Sequence, residues 1–187
     1  MRYIISIGLL FMTGISLVLS CKYKDPAAKT DPRLTNPYCN DPTAVNYNWG
    51  FPGKPDKSIC FYPADVFKGV YEYHDSVFLQ PSGLFIYADT FLMTINKINN
   101  TKFSVSGFCS NNAGLILTTS TQFNATLDTT MGDTLTLNHG QRFCSSNDTI
   151  SGTFTKDRIV DSILYISLLV ASDTGVISTH VGTAYKK

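Results

Sequence analysis

Glutamate is nearly missing from this chain. Glu72 is the only one in 187 residues, so a glycosidase-type carboxylate pair would need Glu72 with an Asp, or two Asp, and no spacing nominates a partner. No G-x-S-x-G elbow occurs, which removes the usual frame of a Ser–His–acid hydrolase. No glycine-rich loop is built to cradle phosphate. The histidines are His74, His139 and His180, and none lies near two cysteines. No two cysteines have C-x-x-C spacing, and His139 with Cys144 would still lack two ligands, so neither a metal nor another cofactor is expected. The formal net charge is +1, without the basic stripe that nucleic acid binding requires. The remaining acids are Asp. With Asn, Thr, Ser and Gly they belong to turns and strand edges rather than helices, so the composition points to an all-β protein.

The N-terminus does carry a signal. Arg2 precedes an apolar run from Tyr3 to Leu19, ending in Val18-Leu19-Ser20-Cys21. A basic start, a short apolar core and a small residue before the cut describe a secretory leader, residues 1–20. The alternatives are an ordinary signal peptide or a single membrane anchor, for which the run is at the lower end of spanning length. The phrase at the cut resembles a bacterial lipobox, which implies cleavage before Cys21 and acylation of that cysteine. Several acyl chains at one residue would hold the protein on a bilayer. The implied location is the outer membrane, on its periplasmic side or at the cell surface. Residues 21–38 then form a lipidated cysteine and a proline-containing tether.

Removing Cys21 from the count leaves Cys39, Cys60, Cys109 and Cys144. Export to an oxidising compartment favours disulfides. Of the three pairings, Cys39–Cys60 with Cys109–Cys144 is expected, because each bond then stays within one unit of the chain. Residues 39–63 are the first unit, too polar and too rich in Pro and Gly to fold by burial. A disulfide there closes a loop of about twenty residues, worth on the order of 3 kcal/mol. The phrases C-N-D-P-T-A-V-N-Y-N and D-K-S-I-C-F-Y resemble a short Cys-bounded repeat of secreted and surface proteins in Bacteroidetes-type bacteria. The resemblance covers residues 39 to 62, with Ile59 inserted and GFPGKP in place of the usual polar middle. It brings Asp41, Asn46, Asn48 and Asp56 forward as calcium candidates. The alternative is that they cap turns, since no EF-hand ladder is present.

From 64 to 187 the pattern becomes one of strands. Runs are expected at Val66–Tyr73, Phe91–Ile98, Lys102–Phe108, Gln122–Asp128, Thr134–His139, Thr149–Lys156, Ile159–Ala171 and Val176–Tyr185, with a turn at Asn99-Asn100. Leu164, Ile166, Leu168 and Val170 make one wholly apolar face. Ile177, Val181 and Tyr185 make another, which puts His180 on the opposite side. Strands at roughly ten-residue spacing imply an antiparallel meander closed as a barrel or stacked as a β-sandwich. The opening Phe67-Lys68-Gly69-Val70-Tyr71 and the closing Gly182-Thr183-Ala184-Tyr185-Lys186-Lys187 resemble small lipocalin-like lipoproteins of the same bacterial group.

Two functional expectations follow. Phe67, Tyr71, Tyr73, Phe91, Phe103, Phe108, Phe123 and Phe154 either line a cavity for a small hydrophobic ligand or fill the core. Otherwise the partner is an envelope protein, and the chain is a structural or assembly component. An envelope hydrolase is the least supported class; it would use His74 or His139. Five Asp-Ser/Thr phrases resemble the O-glycosylation signal of Bacteroidetes and nominate Ser76, Thr129, Thr134, Thr149 and Ser162. The alternative is a strand opening after a turn. The N-x-T triplets at Asn99, Asn124 and Asn147 would matter only in a eukaryote.

Overall fold

The computed structural model describes residues 31–110, 114–128, 140–144 and 147–187. The leader, Cys21, the tether up to Thr30, Thr129, Thr134, His139 and the strand expected at Thr134–His139 lie outside the described residues.

The small unit comes first. A 3-10 turn, Pro32–Thr35, leads into β1 (Pro37–Tyr38), which pairs in parallel with β2 (Lys54–Pro55). Cys39 and Cys60 are joined, as are Cys109 and Cys144, so both expected bonds are present.

A five-residue helix, Pro63–Phe67, follows. Proline suits its first turn, where the missing N–H would have no partner anyway. Asp65 accepts from Tyr62 N–H at 2.9 Å and from Lys97 Nζ at 2.8 Å. The strand expected from Val66 therefore begins three residues later.

The barrel strands are β3 (Gly69–Gln80), β4 (Leu84–Lys97), β5 (Lys102–Ser106), β6 (Leu115–Thr119), β7 (Asn124–Leu127), β9 (Thr149–Lys156), β10 (Ile163–Ala171) and β11 (Ile177–Lys186). Between β7 and β9 lies the short β8 (Gln141–Arg142). Each barrel strand pairs antiparallel with the next, β7 pairs with β9, and β11 returns to β3. The sheet is thus an eight-stranded closed barrel, with β8 beside the start of β9. Closure removes the sandwich alternative: β11 forms a ten-residue ladder with β3, so the first and last barrel strands are neighbours.

Period-2 alternation fills the interior. Tyr71, Tyr73, Met93, Ile95, Phe103, Leu117, Ile150, Phe154, Leu164, Ile166 and Leu168 are all essentially fully buried, each contributing roughly 1.5–3 kcal/mol through burial. Gln141, in β8, bonds through its side chain to the backbone of β6 and to the end of β7. Its Oε1 accepts from Ile116 N–H at 3.0 Å, and its Nε2 donates to the carbonyls of Ile116 and, at 3.2 Å, Asp128.

The barrel has two unlike ends. The helix, the β4–β5 turn and the β6–β7 turn share one, called here the helix end. There Phe67 stacks on Phe103 with centroids 5.0 Å apart, and Tyr71 Oη donates to Phe67 O at 2.9 Å, satisfying a carbonyl at the helix terminus. The disulfide-closed unit sits on this end: Pro42, Thr43 and Val45 face Pro63, Thr101 and Thr121 across a shallow groove. The other end, the loop end, carries the β3–β4 turn, the β10–β11 turn and the loops tied together by Cys109–Cys144.

Candidate functional site

Tyr71, Tyr73, Asp75 and Val77 share the inward face of β3. An aspartate on that face is out of place unless it is paired. Asp75 is 5% exposed. Its Oδ1 accepts from Tyr73 Oη at 2.9 Å, and its Oδ2 lies 2.6 Å from His180 Nδ1. His180 reaches it from β11, whose His180 pairs with Val77 of β3.

The two faces expected for β11 are present, and it is the His180 face that turns inward. Ile177, Val181 and Tyr185, the apolar set, are its exposed outer face. The less apolar set of Ser178, His180, Gly182 and Ala184 points inward. Gly182 explains how Tyr73 fits: a Cβ there would lie 2.6 Å from Tyr73 Cε2 and 2.0 Å from His74 O. The glycine leaves room for the ring against β11.

The cluster lies beside aromatic rings. Tyr73, Phe91 and Phe108 meet pairwise at centroid distances of 5.3 to 5.8 Å. Solvent reaches this region along β4. On its inward face Ile95 and Met93 are buried, Phe91 is half-buried, and Asp89 and Tyr87 are exposed. Burial, then the charges of Asp75 and Asp89, push the Tyr87 phenol up. Burial and the Asp75 carboxylate also push the Tyr73 phenol far above its usual value, so it stays a neutral donor.

The pairing of His180 Nδ1 with a carboxylate favours the Nδ1–H tautomer. Among the described residues, Nε2 has no hydrogen-bond partner. In that tautomer Nε2 is a hydrogen-bond acceptor. Among the described residues no serine, threonine or cysteine is bonded to His180.

The other candidates lie elsewhere. His74 is on the outer face, 3.2 Å from Thr90 Oγ1 and 3.3 Å from Glu72 Oε1. Glu72 also bridges to Lys187 at 2.5 Å, and this charge pair with His74 holds its carboxyl below the ordinary range. Phe123 packs under the Arg158 guanidinium rather than in the barrel core. In the disulfide-closed unit, Asp41 accepts from Thr43 N and Oγ1 and from Tyr62 Oη. Asn46 ties Ile59 O to Phe61 N, and Asp56 caps the Lys57–Ile59 turn. Asn48 takes a positive φ of 61°, a conformation Asn tolerates. These four therefore hold turns. Among the O-glycosylation candidates, Ser162 is exposed in a turn, Ser76 is half-buried in mid-strand, and Thr149 is 2% exposed.

No protein-family model and no curated protein matches the chain. Among solved structures, the chain is similar to a redesigned beta barrel, at 14% identity and a TM-score of 0.40, covering 68% of this chain and 96% of that one. It is also similar to the protein EF1p2_mFAP2b bound to DFHBI, at 11% identity and a TM-score of 0.41, covering 67% and 97%. A third is a protein of unknown function from the DUF3598 family of Nostoc punctiforme, at 10% identity and a TM-score of 0.38, with 66% of this chain and 49% of that chain covered.

Proposed function

We propose that this chain is an acylated envelope lipoprotein, anchored through Cys21, whose lipocalin-like barrel binds one small, mostly apolar molecule at its loop end. The observation that supports the reading is the Asp75–His180 pair, buried beside Tyr73, Phe91 and Phe108, with His180 Nε2 left to the ligand. Binding sites of this kind join an apolar lining to a few fixed polar groups. The rings give area, and His180 selects a molecule with one hydrogen-bonding group. Native mass spectrometry of protein extracted gently from its own envelope tests this. A discrete added mass of roughly a few hundred daltons, lost on denaturation, is expected. A bare lipidated monomer from every preparation would remove the ligand reading.

A second reading, a component of an envelope complex, has its own support. Among the described residues, β4 before Thr94 has no strand partner on the side away from β3, and Leu84, Phe85, Ile86 and Tyr87 are 47–64% exposed along it. Such an edge accepts a further strand. Crosslinking in the intact envelope, followed by identification of peptides joined to residues 84–92, separates this reading from the first.

A further inference from the structure

The disulfide-closed unit carries an aromatic tip that its own packing holds but leaves exposed. Tyr47, Trp49 and Phe51 are 45%, 63% and 68% exposed, and every residue from Tyr47 to Phe51 is exposed. The unit faces the barrel through Pro42–Val45 and through Tyr62, whose ring lies 5.1 Å from Lys97 Nζ. Among the described residues, Tyr47, Trp49 and Phe51 are not part of that groove. Trp49 meets Phe61 edge-on at 6.2 Å, and Phe51 meets Tyr38 at 5.6 Å, which holds both rings without covering them.

The incoming chain arrives beside this tip. A Cβ on Gly50, between Trp49 and Phe51, would lie 2.8 Å from Pro37 O and 3.3 Å from Tyr38 Cβ. Gly50 has φ of +91°, so its lack of a side chain serves both the turn and the close approach. Only ten positions separate Cys21 from Asp31, where the described chain begins. Fully extended, they span about 35 Å at most.

We propose that Tyr47, Trp49 and Phe51 form a foot that rests in the interface of the lipid bilayer carrying the acylated Cys21. Tryptophan and tyrosine favour that interface, where a flat ring is half in hydrocarbon and its polar edge stays wet. Lys54 and Lys57, exposed in the same unit, suit phosphate headgroups. The short tether keeps the tip near the surface and lowers the entropy cost of contact. The helix end of the barrel is then held at the membrane. This inference rests on the lipoprotein reading, since only the acylated Cys21 supplies the tether.

Trp49 is the only tryptophan, so its emission reports on the foot directly. The full acylated protein is placed on vesicles of phosphatidylethanolamine and phosphatidylglycerol, with or without bromine on the acyl chains. The expected result is emission reduced at least about twofold by the brominated lipid, with a blue shift, as for a ring buried several ångströms into the boundary. F51S should weaken the quenching while leaving the protein folded and bound. Equal emission from both vesicles, with the protein bound and its intact mass showing acyl chains, overturns the foot and leaves the lipoprotein reading standing. An intact mass with residues 1–20 retained and no acyl chain on Cys21 overturns both.

Discussion

The two ends of one barrel use the same strands for opposite purposes. At the helix end, the helix closes the interior, Phe67 and Phe103 stack, and the backbone carbonyl at the helix terminus has Tyr71 Oη as its donor. The buried Lys156, 3% exposed at its side chain, reaches out to Asp161, whose side chain is 88% exposed. At the loop end, an acid and a histidine replace apolar side chains inside the wall, and the β4 face grades from buried to exposed. Filling stabilises, whereas a polar cluster in the wall costs stability; on the binding proposal, that cost is what the site requires. The difference sorts the barrel-wall members of the aromatic list from the sequence into two kinds of ring. Phe67, Phe103 and Phe154 are core, whereas Phe91 and Phe108 are half-buried around the polar pair.

The sharpest way to break this comparison is to truncate a filled position. F67A should lower stability by about 3–5 kcal/mol in urea unfolding, since it empties a fully buried site and removes a stacked ring. A loss under about 1 kcal/mol would mean that the helix end is not the closed one. D75N should cost less, about 1–3 kcal/mol, because the amide keeps the shape and one acceptor but sets its NH2 against Tyr73 Oη or His180 Nδ1–H. It should also abolish ligand retention, which F67A, if folded, should leave intact.

Alkaline pH sharpens the contrast further. Burial, then the Asp161 charge, push the Tyr71 phenol up to about 12, and Tyr73 is raised beyond that. Both folded values exceed the unfolded value of about 10. Their contribution is therefore complete below pH about 10 and lost as pH rises through the folded values. Absorbance at 295 nm should show these two phenols titrating only with global unfolding. Ionisation of either at its ordinary value in the folded protein would contradict their placement. The smallest expected effect is K156M. Asp161 is already in solvent, so removing the ammonium leaves no buried charge unpaired. Stability should stay within about 1 kcal/mol or rise, read again by urea unfolding.

Much of the barrel was legible in period-2 patterning. β9 and β10 stand almost where the alternation puts them, the Asn99-Asn100 turn joins β4 to β5, and both disulfides follow from keeping each bond within one unit. The helix was hidden by its length: five residues carry no period. β6, Leu-Ile-Leu-Thr-Thr, is too short to alternate clearly, yet it is a full member of the ring. The first half of β4 was missed because Leu84–Tyr87 is a continuous apolar run, exposed on both faces, although Pro81 and Gly83 mark the turn before it. The candidate site was the least legible part. In β11 the outer face is more apolar than the inner one, so apolarity points His180 the wrong way. The usable signal was in β3, where Asp75 interrupts the Tyr71, Tyr73, Val77 face. A buried acid demands a partner, and only the cross-strand register, set by barrel closure, names His180.

The most direct measurement is a crystal structure of the protein purified gently from its own envelope, without refolding. The expected result is density for one small molecule between Phe91, Phe108 and His180, with a polar atom within hydrogen-bond distance of Nε2. Ordered solvent filling that space in crystals of undelipidated protein, with β4 instead paired to another chain, would contradict the binding account and favour the assembly role.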